Sequence, residues 1–173
     1  MKTYNINILL LILLIFTSCE TEQSFYFQKY ENEFEDDIVN KKSVIFDYQY
    51  DGLSPQTAYI KNCKLTHLKL KDSGELSTSI KLITFENDSI SKIIEHFVTY
   101  VGNDNGNTAG RDLNKLKGDT IYIYDYKNLN FQNYVKGKLL SSKDSEFTKR
   151  STELSKKWIY KIKDATEKKY NCL

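Results

Sequence analysis

The stretch Ser89-Ile90-Ser91-Lys92-Ile93-Ile94-Glu95-His96-Phe97-Val98-Thr99-Tyr100-Val101 decides which architecture the chain adopts. Its apolar residues Ile90, Ile93, Ile94, Phe97, Val98 and Val101 recur at spacings of three, one, three, one and three, the stripe of an amphipathic helix. Asp88 or Ser89 can cap the start and Gly102 the end, so spacing and caps together predict a helix over 89–101. The composition, heavy in Ile, Val, Thr, Phe and Tyr, suits a strand instead, with Asn87-Asp88 as a hairpin turn. Spacing and caps decide for a helix.

Working outward, the preceding residues 43–86 read as an antiparallel meander. Val44, Phe46, Tyr48 and Tyr50 alternate with Ile45, Asp47 and Gln49, the period of a half-buried strand. Asp51-Gly52 and Ser54-Pro55 mark a turn. Residues 57–71 read as one strand that changes face near Cys63, as a bulge would produce. Asp72-Ser73-Gly74 is a hairpin signal and Ser77 to Phe85 the returning strand. Further upstream, Phe27, Tyr30, Phe34 and Ile38 recur at helical spacing opposite a run of acidic residues, predicting a helix over 26–39. Downstream, the glycines and asparagines of 102–118 predict a long loop, and Thr120 to Tyr126 a strand. A second strand is expected near 131–140. A helical period then returns from about Asp144 through Phe147, Ser151, Leu154, Trp158, Ile162 and Ala165, with a break near Lys157 if Trp158-Ile159-Tyr160 forms a strand. The sum is an α+β fold: an antiparallel sheet of about five strands with an N-terminal and a long C-terminal helix packed against it.

Composition agrees with one folded domain. Thirteen tyrosines and nine phenylalanines against one proline and seven glycines favour ordered elements with aromatic packing. The formal net charge is +2, unevenly spread: residues 20–37 hold seven acidic residues against Lys29, and residues 136–169 hold eleven Lys or Arg against five acidic residues. Interspersed Asp144, Glu146, Glu153, Asp164 and Glu167 make the basic segment a solvated, partly neutralised one rather than a dedicated anion-binding face.

The N-terminus carries the most specific signal. Lys2 is followed by an uninterrupted apolar run from Ile8 to Phe16, then Thr17-Ser18-Cys19. A basic start, an apolar core and small residues before a break are the layout of a secretory signal peptide. As a helix the run covers about 14 Å, against a hydrocarbon core of about 30 Å, so it is too short to span. Phe16-Thr17-Ser18-Cys19 resembles the lipobox of bacterial lipoproteins, although Phe16 stands where Leu is more usual. The resemblance is confined to the first 19 residues. It implies that residues 1–18 are a cleaved signal peptide, that Cys19 receives a diacylglyceryl group, and that the new amino terminus is acylated, palmitate being the kind of chain expected. It implies a cell-envelope location, lipid-anchored to a membrane, the outer membrane foremost, facing the periplasm or the surface. Two or more acyl chains hold firmly where one binds marginally. Residues 19–25 would then be the lipidated cysteine and a polar tether, and 26–173 a single domain. Nucleic acid is excluded as a partner for a chain that leaves the cytoplasm.

With Cys19 lipidated, Cys63 and Cys172 remain, in a compartment where disulfides persist. A bridge between them is expected; it would close a loop of about 110 residues and stabilise the fold by about 4–5 kcal/mol in the chain-entropy model.

Candidate chemistry is sparse. The loop Asn103-Asp104-Asn105-Gly106-Asn107 is rich in oxygen ligands, but aligning Gly106 with the glycine of a calcium-binding loop puts Val101 at its first position, so no metal is expected. His67 and His96 lie in no zinc-binding or hydrolase motif, and no cofactor or catalytic residue is assigned. Tyr122, Tyr124 and Tyr126 share one face of their strand: exposed, they would form an aromatic platform for a sugar or protein; buried, they are ordinary core. The expectation is therefore a non-enzymatic, membrane-anchored envelope lipoprotein whose small domain binds a protein, glycan or other envelope component, with an inhibitor- or immunity-like role as a special case. The alternative is a membrane-tethered hydrolase with an unrecognised site, for which a histidine beside a carboxylate in a concave pocket would be the sign.

Overall fold

In the computed structural model the described residues are 22–51, 56–102, 111–142 and 146–170. Helix α1 runs Glu22–Asn40, helix α2 Glu146–Tyr170, and between them lie eight strands: β1 Val44–Phe46, β2 Gln56–Lys61, β3 Lys64–Ser73, β4 Ser77–Glu86, β5 Ser89–Gly102, β6 Arg111–Asp125, β7 Asn130–Val135 and β8 Lys138–Ser141. All eight form one antiparallel sheet in simple chain order. The expected α+β fold with about five strands is corrected to a mostly β architecture, a single eight-stranded meander with two helices.

Two local features raise the strand count. Residues 89–101, expected to be helical, are central strand β5, paired with β4 on one side and β6 on the other. The β-branched composition prevailed because the strand is buried on both faces: Ile93 packs with one core cluster and Ile94 with the other, which gives adjacent apolar residues without any helix. Second, the expected single strand 57–71 is a hairpin. Asn62 and Cys63 both have positive φ, 48° and 66°, the requirement of a two-residue type I′ turn, and the face change comes from a register shift that leaves Thr66 extra. Asn87-Asp88 and Lys136-Gly137 make the same kind of turn, the latter splitting the expected strand 131–140 into β7 and β8. At Gly137 a Cβ would run into the Tyr26 ring, so the position needs glycine for space as well as for φ. Without adding a strand, β6 begins at Arg111, inside the expected loop 102–118, of which 103–110 lie outside the described residues.

The two helices cover opposite faces of the sheet. α1 lays Phe27, Phe34 and Ile38 on Leu82, Ile94, Ile121 and Ile123. It ends in a Schellman motif: Ser43 N donates to Ile38 O, Lys42 N donates to Val39 O, and Lys42 takes φ 54°. Its first residue, Glu22, lies within the stretch 19–25 expected to be a tether. α2 lays Ile159 and Ile162 on Ala58, Ile60, Leu65, Leu68, Leu70, Ile83 and Ile93. It is continuous through Lys157. Among residues 152–170 its buried side chains are Thr152, Ile159, Ile162, Lys163 and Thr166, so over that span the stripe is rotated from the expected one, and Leu154 is 62% exposed. The Lys163 ammonium bonds Glu167 at 2.8 Å and lies 3.5 Å from Asp88, while Glu167 accepts from the Leu65 amide at 2.7 Å. These bonds fix α2 to the β2–β3 and β4–β5 turns.

Candidate functional site

Antiparallel register aligns side chains in rows that cross the sheet, each row confined to one face. On the α2 face, Phe46, Ala58, Leu68, Ile83, Ile93, Tyr124 and Phe131 stand opposite one another from β1 to β7. This apolar row is the floor of the α2 core. The next row along the strands changes character: Leu70, Lys81, Glu95, Tyr122 and Asn133. The third is Asp72, Ser79, Phe97, Thr120 and Val135.

The second and third rows form a polar band on the central strands. Lys81 Nζ lies 3.0 Å from Glu95 Oε1 and 3.4 Å from Asp72 Oδ2, and Ser79 Oγ donates to Glu95 Oε1 at 2.7 Å. Lys81, Glu95, Phe97, Thr120, Tyr122, Asn133 and Val135 are all partly exposed. Burial, then the neighbouring Glu95 carboxylate, raises the Tyr122 phenol above its ordinary pKa. Asn133 Oδ1 is buried and has no hydrogen-bond partner among the described residues. A cleft of about 170 Å³ opens where α2 passes over the band, between Thr152 and Ser155 above and Lys81, Ile93, Glu95 and Tyr124 below. Two aromatic rings, a charge-compensated pair and an orphaned amide oxygen thus lie side by side.

The three expected tyrosines part company here. Tyr122 belongs to the band, whereas Tyr124 and Tyr126 pack at the edge of the α2 core. Tyr124 and Tyr126 stack at 6.4 Å, Phe131 lies 5.0 Å from Tyr124, and the Lys156 ammonium sits 3.9 Å over the Tyr126 ring. The partners of Tyr122 come from β4, β5 and β7, at sequence distances over which periodicity carries no signal.

On the α1 face both histidines meet a carboxylate and a phenylalanine. His67 Nε2 lies 2.8 Å from Asp37 Oδ2, its Nδ1 3.1 Å from Thr66 Oγ1, and Phe34 presents its edge at 5.1 Å. Thr66 donates to Tyr59 O and also bonds Ser43 Oγ at 2.8 Å. His67 is fully buried, and burial lowers its pKa despite the opposing hydrogen bond to Asp37. Burial pushes Asp37 up, but hydrogen bonds from Lys41 and His67 outweigh it and hold the carboxyl below its usual value. His96 Nε2 lies 2.8 Å from Asp119 Oδ1, and the Phe27 ring stacks on it at 4.5 Å. Phe27 and Phe34 are seven apart, two turns on one side of α1, so the helix seats one ring on each histidine. His96 lines an open cavity of about 330 Å³ with Lys71, Ser73, Thr78, Ile80, Val98 and Tyr100.

Cys63 occupies the β2–β3 turn and is disulfide-bonded; its partner lies outside the described residues, where Cys19 and Cys172 both fall. Residues 1–21, with the expected signal sequence, also lie outside them, as does Asp104 of the asparagine-rich loop. Asp112 pairs with Lys115 at 3.3 Å, and among the described residues no three His, Cys, Asp or Glu side chains gather as a metal site would require. No described helix is long and apolar enough to cross a membrane. No family model, curated protein or solved structure matches this chain.

Proposed function

We propose that the protein is a non-enzymatic, lipid-anchored component of a bacterial cell envelope that binds another envelope component through the polar band. The anchor rests on the Phe16-Thr17-Ser18-Cys19 lipobox. The observation that carries binding is the polar band itself. Central strands of a sheet face normally carry core side chains, yet here the apolar row gives way to Lys81, Glu95 and Tyr122. The disulfide at Cys63 supports an oxidising compartment. Cys172 is its proposed partner: Glu167 bonds the Leu65 amide and Tyr170 packs on Phe46 at 5.0 Å, which holds the end of α2 beside the strand following Cys63.

The experiment is membrane fractionation of wild type against Cys19→Ala. Wild type remains with the membrane through a high-salt wash, and Cys19→Ala is released. Retention of the variant would refute the anchor.

A hydrolase is the second reading, favoured by one observation: His96 lines a cavity beside Asp119, with Ser73, Thr78 and Tyr100 on the same wall. Two facts weigh against it. No hydroxyl among the described residues bonds His96, and Thr78 Oγ1 is directed to Tyr100 OH at 3.3 Å. His67, whose Nδ1 does meet a hydroxyl, is sealed from substrate.

A further inference from the structure

We propose that the polar band takes an uncharged oligosaccharide, an inference that rests on the binding role assigned above and names its ligand class. The chemistry of recognition is present in the right sorts and order. Sugar rings offer apolar C–H faces and a rim of hydroxyls, so they call for aromatic faces alternating with groups that both donate and accept. Tyr122 and Phe97 are partly exposed rings on adjacent strands, one row apart on the same face. Between and beside them stand a carboxylate, an ammonium, an amide and two hydroxyl side chains: Glu95, Lys81, Asn133, Ser79 and Thr120. The row from Lys81 to Asn133 crosses three inter-strand gaps, about 14 Å, the reach of a short chain of sugars rather than of one ring.

Charge decides against other occupants. Lys81 is already held by Glu95 at 3.0 Å and Asp72 at 3.4 Å, so the band has no surplus positive charge for a phosphate or carboxylate ligand. Those two acids are themselves engaged by Lys81, and Glu95 by Ser79 as well, which leaves no bare acidic cluster for a basic peptide. What remains unused is neutral hydrogen-bonding capacity, carried by the half-exposed Tyr122 and Thr120 hydroxyls beside the Asn133 amide. The cleft under Thr152 and Ser155 gives this capacity a wall on the α2 side.

The test is isothermal titration of the full mature protein in detergent micelles with maltohexaose, cellohexaose and chitohexaose. At least one binds, and Tyr122→Ala weakens it by about tenfold or more, the loss typical of a central aromatic anchor. Tyr122→Phe, which keeps the ring, retains most of the affinity and controls for folding; Lys92→Ala, on the opposite face, leaves it unchanged. Absence of binding by all three sugars, or binding indifferent to both Tyr122→Ala and Glu95→Gln, overturns the inference. A photo-crosslinker at position 122 in intact envelopes separates the two levels. A protein adduct there without sugar binding refutes the glycan and leaves the binding role standing; no adduct and no sugar binding refutes both.

Discussion

The two faces of one sheet are used differently. α1 is seated on its face by specific polar pairs: Asp37 on His67, Glu31 on Lys69 at 2.8 Å, and a phenylalanine over each histidine. α2 sits on its face through isoleucines over an apolar row, with its polar contacts gathered at the strand turns. The α1 face spends its buried polar groups on holding a helix. The α2 face leaves Lys81, Glu95 and Tyr122 half-exposed in a band that α2 only partly overhangs at Thr152 and Ser155. The same residue types therefore mean different things on the two sides, and the difference lies in what covers them.

The largest expected effect tests whether both helices are integral to the fold. Phe34→Ala and Ile162→Ala remove buried side chains from the two clusters, and each costs about 2–5 kcal/mol in chemical denaturation. A loss under 1 kcal/mol from either would mean that its helix is peripheral, and the picture of two docked faces would fail. Next in size, Cys63→Ser should cost about 2–4 kcal/mol. With Cys172 as partner, amide exchange speeds up more in the second half of α2 than in α1; the reverse pattern would point to Cys19 instead.

A smaller effect separates the faces by pH. Burial lowers the His67 pKa, so the unfolded chain binds a proton there more readily than the folded one. The resulting stability is present above the unfolded value of about 6.5 and is lost as pH falls through the lower folded value. Denaturation midpoints should hold steady from pH 8 to 7 and decline between pH 6.5 and 5, with the decline reduced in His67→Gln. A midpoint that rises on acidification would mean that the Asp37 pair outweighs burial.

Much of the local architecture was legible in the chain. Residues 26–39 lie inside a helix, Asp72-Ser73-Gly74 leads into the β3–β4 turn, and Thr120 to Asp125 is strand. What misled was burial on two sides. In β5 the apolar residues on both faces, with a register shift near its start between Thr84 and Phe85, imitate helical spacing. Asn62-Cys63 is not legible as a turn because cysteine carries no turn signal, although asparagine, which tolerates the positive φ it takes here, does. The candidate site was legible only as Tyr122. Its neighbours Lys81, Glu95 and Asn133 arrive through strand register, and the carboxylates beside His67 and His96 lie 30 and 23 residues away in sequence.

The central claim is that the polar band, and not the α1 face, meets the partner. Photo-crosslinking in intact envelopes compares position 122 with position 92, which sits on the α1 side opposite Thr84 and Asp125. The account predicts a discrete adduct at 122, abolished by Glu95→Gln, and none at 92. An adduct at 92 with none at 122 would contradict it.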